Sequence, residues 1–182
     1  SGKNIEVGGY GAGDAWRNAG TLRANGGVLS IIDTWSSTGA LQLDAGTLFL
    51  GGTFNTASFN TLVRPADADR GTLNLVGALN NASSTLLLNG ATGALRIGGN
   101  GSSTGIISGG TVRIDNASGG SLDTGYAGVS GTSFTGSPYS VLSNVTLANV
   151  AGVANSGRMT IASNGDMRIV GALTLDNAEV TL

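Results

Sequence analysis

One phrase returns along this chain: a glycine, a small residue, then an apolar residue, any residue, and a second apolar residue. It stands at Gly39-Ala40-Leu41-Gln42-Leu43, Gly46-Thr47-Leu48-Phe49-Leu50, Gly71-Thr72-Leu73-Asn74-Leu75, Gly93-Ala94-Leu95-Arg96-Ile97, Gly110-Thr111-Val112-Arg113-Ile114 and Gly171-Ala172-Leu173-Thr174-Leu175, with a shorter copy at Gly20-Thr21-Leu22. The alternation has the period of a strand with one buried face, and the leading glycine permits a corner of positive φ. Secondary copies, such as Thr85-Leu86-Leu87-Leu88, Arg158-Met159-Thr160-Ile161 and Asp166-Met167-Arg168-Ile169, fill the gaps. A unit this short cannot bury its apolar face alone, so it must stack on its neighbours.

Composition points the same way. Of 182 residues, 32 are glycine, 19 serine, 19 threonine and 16 asparagine, while only 11% are charged. Turn formers and small polar residues at that density exclude a helical protein. Hydrophobic residues still reach 40%, too many for a solvated disordered tail and enough to line a narrow core. The expectation is an all-β fold.

The strongest copies lie roughly 17 to 25 residues apart (Leu48 to Leu73, Leu73 to Leu95, Leu95 to Val112), about the contour of one coil of a parallel β-helix with two or three strands per turn. Residues 1–182 then read as a single β-helix domain of roughly eight coils, on the order of 40 Å long at about 4.8 Å per coil. The longest excursions are expected at Phe54 to Arg70 and Gly119 to Tyr139, where proline and glycine gather. The alternative is an antiparallel β-sandwich. It is favoured locally by Ser163-Asn164-Gly165-Asp166 between two apolar-x-apolar runs, since Asn-Gly suits a tight hairpin. A sandwich does not require one phrase to recur, so the solenoid is preferred.

The function classes narrow quickly. A net charge of −2 with nine scattered basic residues offers no stripe for nucleic acid. No apolar run approaches the roughly 20 residues of a bilayer-spanning helix. The chain opens at Ser1 without Met or a signal-peptide core and closes in Glu179-Val180-Thr181-Leu182, which reads as a processed product, a segment of a longer chain or a fibre subunit. Histidine and cysteine are absent, which removes imidazole bases, Ser-His triads, thiol nucleophiles and ordinary zinc sites.

Carboxylate chemistry survives that filter. Asp67 and Asp69, two apart in an extended segment, would share one side at about 6 to 7 Å, with Arg64 and Arg70 beside them, and two carboxylates suffice for glycoside cleavage. The plainer reading is an exposed charged loop. Gly8-Gly9-Tyr10-Gly11-Ala12-Gly13-Asp14 approaches a calcium-binding glycine repeat, but no tandem copy follows it. Trp16, Trp35, Tyr10, Tyr126 and Tyr139 could stack on sugars, against the simpler reading that they pack on the coil. No Thr-x-Thr occurs, so the flat threonine lattice of an ice-binding face is not expected. The binding candidates are therefore Arg64, Asp67, Asp69, Arg70, Tyr126 and Tyr139, with no catalytic residue, metal or cofactor expected.

The run from Arg70-Gly71-Thr72-Leu73-Asn74-Leu75 to Asn89, with Gly105 to Val112, Leu142 to Leu147 and Gly171 to Leu175, resembles the repeats of very large bacterial surface proteins. These are autotransporter passengers, filamentous-haemagglutinin-type exoproteins and giant extracellular filament or sheath proteins. The likeness covers about residues 40 to 182. It implies an exported, right-handed β-helix, extracellular or at the cell surface, that serves as a stalk, adhesin or fibre and carries no catalytic residues. Such a stack leaves unpaired backbone only at its two ends. The partners it implies are copies of itself head to tail or the rest of a longer repeat chain, with glycans or a host surface as ligands of an adhesive version. Neither nucleic acid nor membrane insertion is expected. The alternative is a β-helix that binds or cleaves carbohydrate through loop carboxylates.

Overall fold

The computed structural model describes residues 2–9, 11, 13–65, 70–98, 104–124, 140–162 and 165–182. The chain winds as a parallel β-solenoid. Strands fall in turn on three ladders, and every pairing among the described residues is parallel.

The first ladder stacks β1 (Asn4–Val7), β4 (Gly27–Ile31), β7 (Gly46–Leu50), β10 (Thr72–Leu75), β13 (Ala94–Ile97), β16 (Ser121–Thr124), β18 (Arg158–Ile161) and β20 (Glu179–Thr181). The second stacks β2 (Ala15–Asn18), β5 (Thr34–Ser37), β8 (Thr53–Asn55), β11 (Ala78–Asn80), β14 (Gly105–Ser108) and the first halves of β17 (Ser140–Ala148) and β19 (Met167–Asp176). The third comes in two parts. One is β3 (Thr21–Ala24), β6 (Ala40–Leu43) and β9 (Leu62–Val63); the other is β12 (Thr85–Leu88), β15 (Thr111–Ile114) and the second halves of β17 and β19.

Alternation along each strand becomes rows along the axis, because residues in register point to the same face. In the first ladder Leu29 stacks on Leu48 and Leu48 on Leu73, and further along Leu95 stacks on Leu122 and Leu122 on Met159. These side chains are essentially fully buried and belong to one core running through the stack. The spacing rule needs one correction. The partner of Leu95 is Leu122, whereas Val112 lies on the third ladder of the same turn. The glycine phrase opens strands of the first and third ladders alike, which explains its uneven period.

The hairpin reading of Ser163 to Asp166 is also corrected. Gly165 N–H donates to Ala162 O (2.7 Å), but among the described residues β18 pairs with β16 and β20 while β19 pairs with β17. The chain passes from the first ladder to the second between Ile161 and Met167, and Ser163 and Asn164 lie outside the described residues.

The second ladder begins with aromatics. Trp16 stacks on Trp35 (centroids 6.1 Å apart) and Trp35 on Phe54 (4.4 Å), and the row passes to Leu79, Ile107, Leu142 and Ile169. Each indole N–H donates 3.0 Å to a corner carbonyl of the next turn, Trp16 to Ile32 O and Trp35 to Gly51 O. The pairing satisfies a polar atom that would otherwise be stranded in an apolar core. Both tryptophans thus pack on the coil.

The corner between the second and third ladders holds a buried polar spine. Asn18 Nδ2 donates to Ser37 Oγ (3.1 Å), Thr56 Oγ1 donates to Asn81 Oδ1 (2.7 Å), and Asn81 Nδ2 donates to Gly109 O (3.1 Å) and Thr111 O (3.0 Å). Backbones pass so closely at these corners that a Cβ on Gly110 (φ +64°) would lie 2.0 Å from Asn81 O. The excursion from Phe54 to Arg70 contains a one-turn helix, α1 (Thr56–Phe59). Asn55 caps it by accepting from Ser58 N–H (2.9 Å), and Phe59 is buried.

Candidate functional site

Arg64 and Arg70 come together, and their geometry is that of a clamp. Arg64 follows β9, and its guanidinium donates through Nη1 to Thr92 O and Ala94 O and through Nη2 to Arg70 O (2.9 Å) and Gly71 O (2.8 Å). Arg70 Nη1 donates to Gly90 O. The acceptors belong to the chain around β10 and to the Asn89 turn, whose side chain accepts from Ala91 N–H and Thr92 N–H. The two arginines therefore tie the excursion to the turn that follows it.

Burial, and secondarily the charge of Arg70, lowers the Arg64 pKa to about 10, so the group stays cationic at neutral pH. Its Nε is buried without a partner. A cavity of about 70 Å³ lies beside it, lined by Arg64, Gly71, Thr72, Leu73, Ala94 and Arg96. Asp67, Asp69, Tyr126 and Tyr139 lie outside the described residues, as does Tyr10. Among the described residues no three acidic side chains gather where they could hold a metal ion, and no helix is long and apolar enough to cross a membrane.

The second region is the two edges of the stack, where the sequence predicts unpaired backbone without naming the residues that form it. In β19, Ile169 and Leu175 continue the inward rows of Leu142 and Leu147, yet they are 50% and 48% exposed where their neighbours are at 0%. Val170 and Leu182 are also exposed, as is Ile5 of β1 at the opposite edge. Among the described residues β1, β2 and β3 each pair on one side only, and so do β19 and β20. Clefts of about 270 Å³ (around Lys3, Ile5, Arg23 and Gly26) and 280 Å³ (around Asn155, Arg158, Asn177 and Glu179) open at these edges. The signal was present in sequence as the unbroken alternation Met167 to Asp176, but alternation cannot say whether a neighbour covers it.

Charged groups beside the edges are paired along the axis. Arg23 forms an ion pair with Asp44, and Arg158 with Glu179. The edges thus join open backbone, half-exposed core side chains and a few charges, a surface suited to receiving another strand. Compared with protein-family models, with curated proteins and with solved structures, the chain gives no match.

Proposed function

We propose that this chain is a non-enzymatic structural module of a bacterial extracellular filament, sheath or adhesin stalk, in which stacked β-turns give a stiff rod. The observation that carries this reading is the continuous core: rows such as Leu29, Leu48 and Leu73 run along the axis, and each strand of a row pairs with the strands of the turns beside it. Stability in such a stack is a sum of turn and neighbour terms, so length is added without changing cross-section. Short polar residues on the outer face, such as Asn55, Asn80, Ser108 and Ser143 in one row, keep that surface wet and low in charge.

Electron microscopy of the native material tests the reading. The expected result is a rod or filament with an axial repeat of about 4.8 Å, the spacing of stacked strands; compact particles without it would count against the proposal. Polysaccharide cleavage by the parent chain that disappears in Asp67→Asn or Asp69→Asn would replace it with the carbohydrate-active alternative.

A further inference from the structure

The two edges of the stack match each other. We propose that the β19 edge takes the β2–β3 edge of a second copy as its next turn, with β20 standing where β1 of that copy now stands. The proposal rests on the structural reading above and adds to it the partner, the register and the one strand that must move.

The spacing of the inward residues narrows the register to two, since Met167 and Leu173 are also six positions apart, and Ile169 is the one that continues the row of Trp16, Trp35, Phe54, Leu79, Ile107 and Leu142. Ile169 and Leu175 of β19 are six positions apart, as are Trp16 of β2 and Leu22 of β3, and as are Trp35 and Leu41 in the turn that β2 and β3 already cover. In β17 the corresponding Leu142 and Leu147 are five apart, and the ladder shifts register between Ser143 and Val145 to absorb the difference. Trp16 therefore seats on Ile169 while Leu22 seats on Leu175. A slip of one residue would turn both apolar side chains outward.

The outward positions agree with this register. Thr174 closes a column of stacked threonines (Thr85, Thr111, Thr146, Thr174), and Thr21 of the second copy would extend it. One position on, Asp176 would meet Arg23. Arg23 already pairs with Asp44 of its own chain, so Asp176 would add a second carboxylate beside it, a modest preference for this pairing over copies meeting through like edges.

The first ladder supplies the remaining constraint. Among the described residues that ladder has one strand more than the other two, so a second copy seated on β19 brings β1 to the level already filled by β20. One of the two strands is surplus. Val180 and Leu182 have the two-residue spacing of Ile5 and Val7. They can therefore lie on Leu29 and Ile31 of the second copy, where Ile5 and Val7 now lie. Both strands are loosely held where they now lie, only Val7 being half-buried in β1 and only Val180 in β20, and the joint as proposed displaces β1.

Sedimentation velocity on three forms of the 182-residue chain tests this. Deleting residues 1–8 removes the surplus strand and is expected to tighten self-association about tenfold or more relative to the parent, because no strand must be displaced. Leu175→Lys, at an exposed position, is expected to abolish association in that background while circular dichroism stays unchanged. Trp16 emission should shift to the blue on association, as Ile169 covers the indole. Should the deletion fail to fold, Ile5→Asp in the full chain loosens β1 alone and must show the same gain. A folded, monomeric deletion variant, or association indifferent to Leu175→Lys, overturns the joint and means that the edge takes something other than a second copy. A monomer that is nonetheless a stiff rod by solution scattering would leave the structural reading standing, so the two fail separately.

Discussion

β17 and β19 are neighbours in register over eight residue pairs, and both bend from the second ladder into the third, yet one is buried and the other is not. Leu142 and Leu147 are sealed, whereas Ile169 and Leu175 in the same rows are half in water. The two strands carry the same alternation and the same class of side chain. What differs, among the described residues, is the number of turns stacked on them: β17 has β14 and β15 on one side and β19 on the other, while β19 has β17 alone. In a solenoid, burial is thus a property of the neighbour rather than of the strand.

Substitutions can break this comparison if it is wrong. The largest effect is expected at the corner glycines. A Cβ at Gly110 would press on backbone, 2.0 Å from Asn81 O, and the residue's carbonyl receives Thr146 N–H of β17 (3.0 Å). At Gly171 in β19 the nearest atom is the side-chain Oδ1 of Asn144 (2.2 Å), which can rotate away. Both glycines have positive φ (+64° and +74°), so both substitutions carry the left-handed penalty of about 1 to 2 kcal/mol. Gly110→Ala should cost about 4 kcal/mol or prevent folding, against about 1 to 2 kcal/mol for Gly171→Ala. Urea unfolding of the pair measures the gap, and equal losses would mean that the edge turn is as tightly built as the interior.

The core rows come next. Leu147→Ala should cost about 3 kcal/mol, through lost transfer energy and the cavity left behind. Leu175→Ala, already half-exposed, should cost less than about 1 kcal/mol. The comparison sharpens under the conditions in which the β1 deletion associates. There a strand covers Leu175, and the cost of its truncation should rise toward that of Leu147. A Leu175→Ala cost that stays small in the associated state would show that no strand lies on it.

Much of this architecture is legible in the sequence, for a physical reason. Parallel in-register stacking converts a repeated local phrase into rows, so Gly71-Thr72-Leu73-Asn74-Leu75 announces both a strand and its neighbours. The phrase does not say which ladder it opens. Val112 and Leu122 both sit about one coil's length beyond Leu95, and only the corner geometry sends the first to the third ladder and the second to the first. Threonine columns escaped for a similar reason: Thr85, Thr111, Thr146 and Thr174 are far apart in the chain, and no Thr-x-Thr pair hints at them.

The candidate loop was legible by composition alone. Arg64 and Arg70 turned out to grip backbone carbonyls, which proline and charge in a glycine-rich chain do not foretell. Open ends are expected from the repeat itself, but not which strand forms them, because the pattern of β19 is that of a buried strand and its exposure depends on what is stacked upon it.

The smallest expected effect lies at the bend shared by the two strands. In β17 the bend is made by Asn144, one of few non-glycine residues with positive φ (+53°), and its Oδ1 accepts from Ala172 N–H (3.1 Å) across the ladder; in β19 it is made by Gly171. Asparagine tolerates the left-handed region better than other side chains but still pays more than glycine for it. Asn144→Gly therefore gains backbone ease and loses one partly exposed hydrogen bond, two terms of about 1 kcal/mol or less that nearly cancel. The change in unfolding free energy should fall within about 0.5 kcal/mol of zero. Asn144→Ala keeps neither advantage and should cost about 1 to 2 kcal/mol. A loss in the glycine variant as large as in the alanine variant would show that the side-chain bridge to Ala172, rather than the ease of the backbone bend, sets the energetics of this corner, an addition to the eight-pair ladder that joins β19 to β17.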